Sequence, residues 1–273
     1  MNGCEIRVAG ARFAYGAQEA LRGIDLTIGA GEQVALVGPN GAGKTTLTRL
    51  LVGLRRPSAG RVTVGDWDVS RKRPDEMARR VGYAFQHSDQ QLFARTVESD
   101  VAFGPRCLGR SAGAVPGVLE ELGLTGVAHL HPYDVPGPMR KLVALAGVLA
   151  MEPCVLVLDE PTAGLDRAQR LRVVAALARR AAGGEGVTML AVSHDLAFVA
   201  EAAARVVVMR DGRVAADRPA RELLYDREAL AALGLRPPAT AQIGMALGLA
   251  GSPIHAREVV DALRRTEWRR TAE

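Results

Sequence analysis

A chain of 273 residues carries 35 Lys and Arg against 30 Asp and Glu, so its formal net charge is +5, and 48% of its residues are hydrophobic. This length and this apolar share exclude a disordered chain and are sufficient to bury a sizeable core. The positive excess is spread along the chain, so a nucleic-acid partner is not expected.

Short strand-like and helix-like segments alternate along the chain, which predicts an α/β fold. Residues 1–30 alternate like antiparallel edge strands. The continuous apolar run Gln33–Val37 predicts a buried parallel strand, and a helix is expected over Thr46–Leu54. Residues 88–150 are expected to be mostly helical.

Two further apolar runs continue this pattern in the second half of the chain. Val155–Leu158 and Thr188–Val192 are apolar at consecutive positions, as in parallel strands covered on both faces. The spacing of Arg167–Ala182 predicts a helix between them. Together these segments predict a parallel-sheet core.

A hairpin and a helical tail complete the predicted fold. Val206–Met209 reads as a strand, and Asp211-Gly212 after it is a strong signal of a tight hairpin. We predict a domain over residues 1–220, with an N-terminal antiparallel β subdomain, a parallel-sheet core and a helical subdomain at about 88–150. Residues 221–273 are predicted to form a small C-terminal helical extension.

Cysteine and membrane signals are both weak. Cys4, Cys107 and Cys154 are widely spaced and form no CxxC pair, so neither a disulfide framework nor a zinc site is expected, and a reducing compartment is indicated. No segment approaches the roughly 18 consecutive apolar residues that span a bilayer. Glu5 and Arg7 stand where a signal peptide would have its apolar core.

A phosphate-binding loop is predicted between the first buried strand and its helix. Gly38–Thr45 has the spacing G-x-x-x-x-G-K-[ST] without a departure. Its glycines allow backbone N–H groups to surround a β-phosphate, and the helix N-terminus adds partial positive charge. Lys44 is predicted to reach the β- and γ-phosphates, and Thr45 to bind Mg²⁺. The predicted nucleotide contacts are Gly38, Pro39, Asn40, Gly41, Ala42, Gly43, Lys44, Thr45 and Thr46.

Two adjacent carboxylates follow the second buried strand. Asp159 is predicted to hold Mg²⁺, and Glu160 to orient and deprotonate an attacking water. His194 follows the third strand, and the carboxyl ends of parallel strands meet at one edge of a sheet. We therefore expect His194 to face the same crevice and to contact the γ-phosphate. Two solvated acids are the plain alternative for Asp159 and Glu160 taken alone, and the intact phosphate loop argues against it.

These motifs, in this order, resemble the ATP-binding cassette (ABC) ATPases, whose fold is a P-loop NTPase cassette. The resemblance includes Ala163–Asp166 and covers roughly residues 5–220. It implies that Gln86 occupies the family's Q-loop position, as a catalytic residue and Mg²⁺ ligand, and that Tyr15 stacks on adenine. The implied protein is an enzyme that binds ATP and Mg²⁺ and hydrolyses ATP.

One stretch is similar to a narrower group, the energy-coupling factor (ECF) importers of cobalt, nickel and vitamins. Phe85–Phe93 leads into Asp100–Pro105, and Leu233–Pro238 also resembles that group. The resemblance implies contact with an integral membrane coupling subunit through about Gln86–Phe93, and indirect association with a substrate-binding membrane subunit. It also implies a peripheral location on the cytoplasmic face of the cell membrane. The alternative is a generic cassette ATPase with a coincidental segment.

The chain departs from the family at the signature loop LSGGQ, which one cassette presents to the nucleotide of its partner. By register the equivalent residues are Val135–Met139, here called the signature-equivalent loop, and only Gly137 matches. Pro136 removes the serine hydroxyl and an N–H, and Pro138 removes another N–H. Prolines at a helix start are tolerated, so the following helix is expected to persist without these donors.

This departure has a consequence for assembly. A homodimer would contain two impaired sites, whereas a heterodimer with an intact partner would contain one good site, built on this chain's phosphate loop. We therefore predict a heterodimer with a second ABC ATPase subunit. Beyond the loop, Leu142 stands where arginine is usual, and Arg140 and Lys141 are expected to keep the surface basic.

Two other functional classes are weaker. Soluble ABC proteins that act on nucleic acid need a long coiled coil or two cassettes, and this length holds neither. A basic cluster interleaved with an aromatic residue appears only at Arg264-Arg265 and Trp268-Arg269-Arg270, which is more often a solvated helix end. A non-catalytic regulatory subunit fits the damaged signature but not the presence of Glu160 and His194. The tail has an apolar stripe that either packs on the cassette or forms a dimer contact: Leu223, Leu224, Leu230 and Leu233.

Overall fold

A computed structural model describes residues 3–86, 91–182 and 186–271, with side chains as far as residue 265. The strands are β1 (Ile6–Tyr15), β2 (Gln18–Ile28), β3 (Gln33–Val37), β4 (Ala59–Val64), β5 (Trp67–Asp68), β6 (Val81–Ala84), β7 (Val155–Asp159), β8 (Thr188–Val192), β9 (Arg205–Arg210) and β10 (Arg213–Pro219). The α-helices are α1 (Lys44–Leu51), α2 (Pro74–Met77), α3 (Val97–Val101), α4 (Phe103–Cys107), α5 (Val115–Glu121), α6 (Gly137–Ala150), α7 (Arg167–Ala181), α8 (Leu196–Ala202), α9 (Ala220–Leu224), α10 (Arg227–Ala232), α11 (Ala239–Ala246) and α12 (Ala256–Thr271).

An antiparallel sheet forms the first layer, with strand order β2-β1-β4-β5. Along β1 the side chains of Ile6 and Val8 are buried, whereas those between them are exposed. This period of two places one apolar face against the rest of the molecule. The antiparallel strands predicted within residues 1–30 are confirmed.

A mixed sheet forms the centre, with strand order β10-β9-β3-β8-β7-β6. Strands β3, β6, β7, β8 and β9 run parallel, and β10 pairs antiparallel with β9 through the predicted hairpin. In that turn Asp211 and Gly212 have φ of 50° and 74°, as a type I′ hairpin requires. The carboxyl ends of β3, β7 and β8 therefore meet at one edge, where the motifs predicted from the sequence lie.

The centre of the sheet is covered on both faces. Val155 and Val157 pack toward the antiparallel sheet and α1, while Leu156 and Leu158 pack among the residues of α5, α6 and α7. This explains why the β7 segment is apolar at every position rather than at alternate ones. Together these layers confirm the predicted α/β cassette fold.

The helix boundaries follow local chemistry. Helix α1 begins at Lys44, directly after the glycines of the phosphate loop, and ends at Leu51, three residues before the predicted end. Helix α7 begins after Asp166, whose carboxylate accepts a hydrogen bond from the N–H of Gln169 at 2.8 Å, while the Gln169 side chain accepts one from the N–H of Asp166. This reciprocal capping box ends the preceding loop at a defined residue.

The apolar stripe of the tail is part of the core. Leu223, Leu224 and Leu230 are fully buried among β3 and β9 residues that include Val37 and Val208, and Leu233 is half-buried against the same cluster. The dimer-contact alternative for the three fully buried leucines is therefore wrong, because a side chain buried within its own chain has no surface left for a partner. The domain boundary at residue 220 stays a prediction.

No disulfide framework was expected, and the structure has one disulfide that the cysteine spacing did not predict. Cys4 and Cys154 form one, with their Cα atoms 5.6 Å apart, and Cys107 is free and exposed. Thr188 lies between the two cysteines: its hydroxyl donates to the carbonyl of Cys4 and its N–H to the carbonyl of Cys154. The two cysteines are 150 residues apart in the sequence, and they meet only because β1 packs against β7 and β8. Their spacing therefore could not predict the disulfide.

Candidate nucleotide-binding site

The phosphate loop joins β3 to α1 and closes around a lysine. Lys44 Nζ donates to the carbonyl oxygens of Gly38 at 2.7 Å and Pro39 at 2.9 Å. The side chain is buried, and this burial lowers the pKa of Lys44 against the opposing effect of Glu160 and Asp159. The loop therefore holds its one ammonium group at a fixed place.

Two glycines of the loop are required by space as well as by conformation. Gly38 has φ of 142°, and a Cβ there would lie 2.1 Å from the carbonyl oxygen of Met209. Gly43 has φ of 100°, and a Cβ there would lie 2.6 Å from the carbonyl oxygen of Ala20. The loop is thus pressed against β9 and β2, which a residue with a side chain would prevent.

A cavity of about 290 Å³ lies beside this loop at the carboxyl edge of the mixed sheet. Gly38 and Pro39 do not line it and act through Lys44. The other predicted site residues are brought together around it from separate parts of the chain: Tyr15, Asn40, Gly41, Ala42, Gly43, Lys44, Thr45, Thr46, Gln86, Asp159, Glu160 and His194.

Hard oxygen donors meet at the start of α1 and the end of β7. Thr45 Oγ1 lies 3.3 Å from Asp159 Oδ2, and Asp159 is buried. Burial raises the pKa of Asp159, while the Thr45 hydroxyl and Lys44 act in the opposite direction. One hydroxyl and one carboxylate suit Mg²⁺, which in nucleotide sites takes further oxygens from the phosphates. Within the described residues no group of three or more His, Cys, Asp and Glu could hold a metal.

Glu160 occupies a turn that points its carboxylate toward β8. Its φ is 52°, in the left-handed region, and its N–H donates to the carbonyl of Val192 at 2.9 Å. Ser193 Oγ donates to Oε2 at 3.5 Å, and His194 Nε2 lies 3.6 Å from Oε1. In the described part of the chain, buried Oε1 accepts no hydrogen bond. One oxygen of Glu160 thus keeps an unused acceptor position, although it is buried beside His194.

Burial and nearby charges at this turn raise the pKa of Glu160 and lower the pKa of His194. Burial, and then the charge of Asp159, raises the pKa of Glu160. Burial, and then the charge of Lys44, lowers the pKa of His194, so its neutral form is favoured at neutral pH. A carboxylate with a raised pKa accepts a proton more readily than an ordinary glutamate.

Sequence reasoning missed two residues of this site. Lys141 was expected to keep the surface basic, but it is half-buried and its Nζ donates to the backbone carbonyl of Glu160 at 3.0 Å. Ser193 is fully buried against Glu160. The one signal available in the sequence was the rarity of lysine, since Lys141 is one of three in the chain.

In the signature-equivalent loop, Pro136, Gly137 and Pro138 are exposed at the start of α6, whereas Val135 is buried and Met139 is half-buried. Pro136 caps this helix without a side-chain hydrogen bond, and its carbonyl accepts the N–H of Arg140 at 3.1 Å. The Arg140 guanidinium donates to the carbonyls of Val135 and Tyr133. The helix persists as predicted, and proline occupies two of the positions from which N–H groups would otherwise project.

A second, apolar cavity of about 400 Å³ lies between β6 and the helices that follow it. Phe85, Phe93 and Phe103 are exposed at its rim, and the rings of Phe93 and Phe103 pack edge to face at 4.6 Å. The Gln91 side chain accepts from the N–H of Phe85 and donates to the carbonyl of Tyr83. Of the predicted membrane-contact segment, residues 87–90 lie outside the described residues.

Comparison with known proteins identifies the family. The family described as "ABC transporter" matches residues 21–163, about half of the chain. The chain is 38% identical to the energy-coupling factor transporter ATP-binding protein EcfA of Methanothermobacter thermautotrophicus, over 89% of this chain and 79% of that protein. It is 42% identical to the cobalt import ATP-binding protein CbiO of Rhodobacter capsulatus, over 82% of this chain and 81% of that protein.

The solved structures include CbiO1 of Clostridium perfringens, part of the ABC transporter complex CbiONQ. It is 31% identical to this chain, with a TM-score of 0.73 over 89% of this chain and 98% of that one. These likenesses confirm the resemblance noted in the sequence and agree with a closed phosphate loop opposite two carboxylates. The chain belongs to the ATP-binding subunits of ABC transporters and is a transport-coupled ATPase.

Proposed function

We propose that this chain drives an ECF-type importer, coupling ATP binding and hydrolysis to uptake of cobalt or nickel ions or a vitamin. The observation that carries the proposal is the cavity of about 290 Å³ at the sheet edge, around which the phosphate loop, Gln86, both carboxylates and His194 converge. Similarity to proteins named for energy-coupling factor and cobalt import supports the type of transporter.

The predicted catalytic and metal-binding residues at the cavity have these roles in the proposal. Lys44 contacts the β- and γ-phosphate oxygens as a compact cation. Thr45, Asp159 and Gln86 would hold Mg²⁺, which would neutralise part of the phosphate charge. The Glu160 carboxylate orients a water molecule and accepts its proton as the water oxygen bonds to the γ-phosphorus, while the bond from that phosphorus to the β,γ-bridging oxygen breaks and ADP leaves.

The remaining residues position the nucleotide. His194, which lines the cavity directly after β8, donates to the γ-phosphate. Tyr15, which lies at the end of β1 with 41% of its surface exposed, stacks on adenine. Backbone N–H groups of Asn40–Thr46 surround the β-phosphate.

The apolar cavity beside β6 is proposed as the contact for an integral membrane coupling subunit. Exposed Phe93 and Phe103 give it an anchor for a helix with apolar residues. No described helix of this chain is long and apolar enough to cross a bilayer. A separate membrane subunit that binds the cargo would be reached through the coupling subunit, and the chain would sit peripherally on the cytoplasmic face of the membrane.

The composition of the signature-equivalent loop supports a heterodimer. Pro136 and Pro138 cannot donate from their nitrogens, and losing one well-placed donor to a developing anion typically costs about 10²–10³ in rate. A second ABC ATPase subunit with an intact signature would complete the site built on this chain's phosphate loop.

The test compares ATPase activity of the purified chain alone, the presumed partner alone, and their mixture. We expect the mixture to hydrolyse ATP far faster than either subunit, and the complex with membrane subunits to take up one cargo in vesicles. Full activity of this chain alone would contradict the heterodimer. Association with exporter-type membrane subunits would favour a different ABC transporter instead.

A non-catalytic regulatory subunit is the second candidate, and the signature-equivalent loop is what favours it. Glu160→Gln separates the two, since it keeps the size of the side chain but removes the base. Unchanged ATPase activity of the complex carrying this variant would establish the regulatory role.

A further inference from the structure

Lysine is rare in this chain, yet two of its three lysines lie at the nucleotide site. Lys44 is held by the phosphate loop, and Lys141 reaches Glu160 from α6. The third, Lys72, forms an ion pair away from the site. Lys141 has a half-buried ammonium with a specific partner, and the family motifs assign it no role.

The contact is to the backbone of Glu160 rather than to its carboxylate. Lys141 Nζ donates to the Glu160 carbonyl at 3.0 Å, and the Glu160 N–H donates to the Val192 carbonyl at 2.9 Å. The Glu160 N–H is therefore held by β8, and its carbonyl is held by α6 at 3.0 Å and by the Ala163 N–H of the same turn at 3.3 Å. Of the two donors to this carbonyl, Lys141 makes the shorter contact and the one that comes from another element.

Glu160 needs such support because of its conformation. Its φ of 52° lies in the left-handed region, which a residue with a Cβ adopts at a cost and keeps only where surrounding contacts hold it. This turn directs the carboxylate toward Ser193 and His194. Relaxation to an ordinary conformation would redirect the carboxylate away from them.

We infer that Lys141 is a positioning residue that holds Glu160 in its left-handed turn and so links α6 to the carboxylate. This inference rests on the proposed role of Glu160 in hydrolysis. Lys141 lies about one helical turn after Gly137, so the helix that begins at the signature-equivalent loop also carries the donor. A displacement of the start of α6 relative to β7 acts directly on this hydrogen bond.

Lys141→Met tests the inference in the full chain within its ATP-hydrolysing assembly. Methionine keeps an unbranched apolar stem and removes the donor. We expect kcat to fall by about 10–100-fold, since small misplacements of a reacting group have effects of that size. KM for ATP should stay within about twofold, because the phosphate loop is unchanged. Lys141→Arg, which can still donate to the carbonyl, should recover most of the loss.

Two further variants isolate the link to Glu160. Lys72→Met makes the same chemical change away from the site and should leave kcat and KM unchanged. In a Glu160→Gln background, Lys141→Met should reduce the residual rate by less than about twofold, since a residue that acts through another adds little once that other is removed.

The outcomes are distinct. Wild-type kcat in Lys141→Met, or a rise in KM without a fall in kcat, overturns the inference, as does a full multiplicative loss in the double variant. If Lys141→Met lacks a cooperative thermal transition, Lys141→Gln, whose shorter amide falls short of the carbonyl, replaces it under the same criteria, and wild-type kcat there overturns the inference equally. Wild-type activity of Glu160→Gln contradicts the proposed function itself, whereas loss in Glu160→Gln with none in Lys141→Met contradicts the positioning role alone.

Discussion

The phosphate loop and the signature-equivalent loop each precede a helix, but they differ in what they present to an anion. In the phosphate loop the backbone closes on Lys44 and the N–H groups of its glycines are available at the helix start. In the signature-equivalent loop, Pro136 and Pro138 take two of the corresponding positions. A helix start alone therefore does not make a phosphate site; it needs donors in the right positions.

The two loops should differ most in how far kcat/KM for ATP falls when one side chain of each loop is truncated to alanine. Lys44→Ala removes the ammonium that the loop holds, and we expect kcat/KM for ATP to fall by about 10²–10³ or more. Met139→Ala in the signature-equivalent loop should change it by less than about twofold in a complex whose partner supplies an intact signature. Steady-state ATPase assays measure both, and equal losses would remove the contrast between the loops.

Repair of the weaker loop should give the next largest effect. Val135→Leu, Pro136→Ser, Pro138→Gly and Met139→Gln together restore the signature LSGGQ. We expect the repaired chain to hydrolyse ATP at least about tenfold faster on its own than the parent, because each cross-site contact regains its donors. Val135→Leu alone is the control. A repaired chain no faster than the parent would show that another feature limits the lone chain.

A third effect compares two tyrosines, one at each loop. Tyr15→Ala should weaken ATP binding by about tenfold, the equivalent of roughly 1.4 kcal/mol of stacking, and Tyr15→Phe should not. Tyr133→Ala, which alters a partly exposed ring beside Arg140, should leave the affinity unchanged. Titration with a fluorescent ATP analogue measures these affinities, and equal weakening by both alanine variants would contradict stacking at Tyr15.

The smallest effect on activity is expected from the Cys4–Cys154 disulfide. Cys154 directly precedes β7, whereas Asp159 ends that strand at the opposite edge of the sheet. Cys154→Ser should therefore leave kcat within about twofold while lowering Tm by about 5–15 °C, since a cross-link typically contributes a few kcal/mol. Cys107→Ser is the control for loss of a thiol. An unchanged Tm would show that the cross-link does not stabilise this fold.

The parts of the site that were predicted from the sequence are those set by local spacing. Gly38, Gly43 and Lys44 lie in one short loop and at the start of the helix that follows it. The strand before the loop is predicted by a continuous apolar run, and the helix after it by apolar residues at helical spacing. The continuous apolar run before Asp159 likewise indicated a strand covered on both faces.

The parts that were not predicted depend on contacts between distant segments. Cys4 meets Cys154 only because β1 packs against the central sheet, and Lys141 meets Glu160 only because α6 packs beneath β7. On the helix alone, Lys141 looks like its neighbour Arg140, which instead hydrogen-bonds to the loop before it. Arg140 and Lys141 are adjacent cations whose different partners are set by tertiary packing, and a sequence pattern does not distinguish them.

The scarcity of lysine makes covalent labelling of amines in this protein simple to interpret. Burial lowers the pKa of both Lys44 and Lys141, against the opposing charges of Glu160 and Asp159, and the same burial limits access of a reagent to Lys44. An acylating reagent has Lys72 as its one other lysine target. Modification of the Lys44 peptide, read by mass spectrometry, would then report directly whether a nucleotide shields the loop.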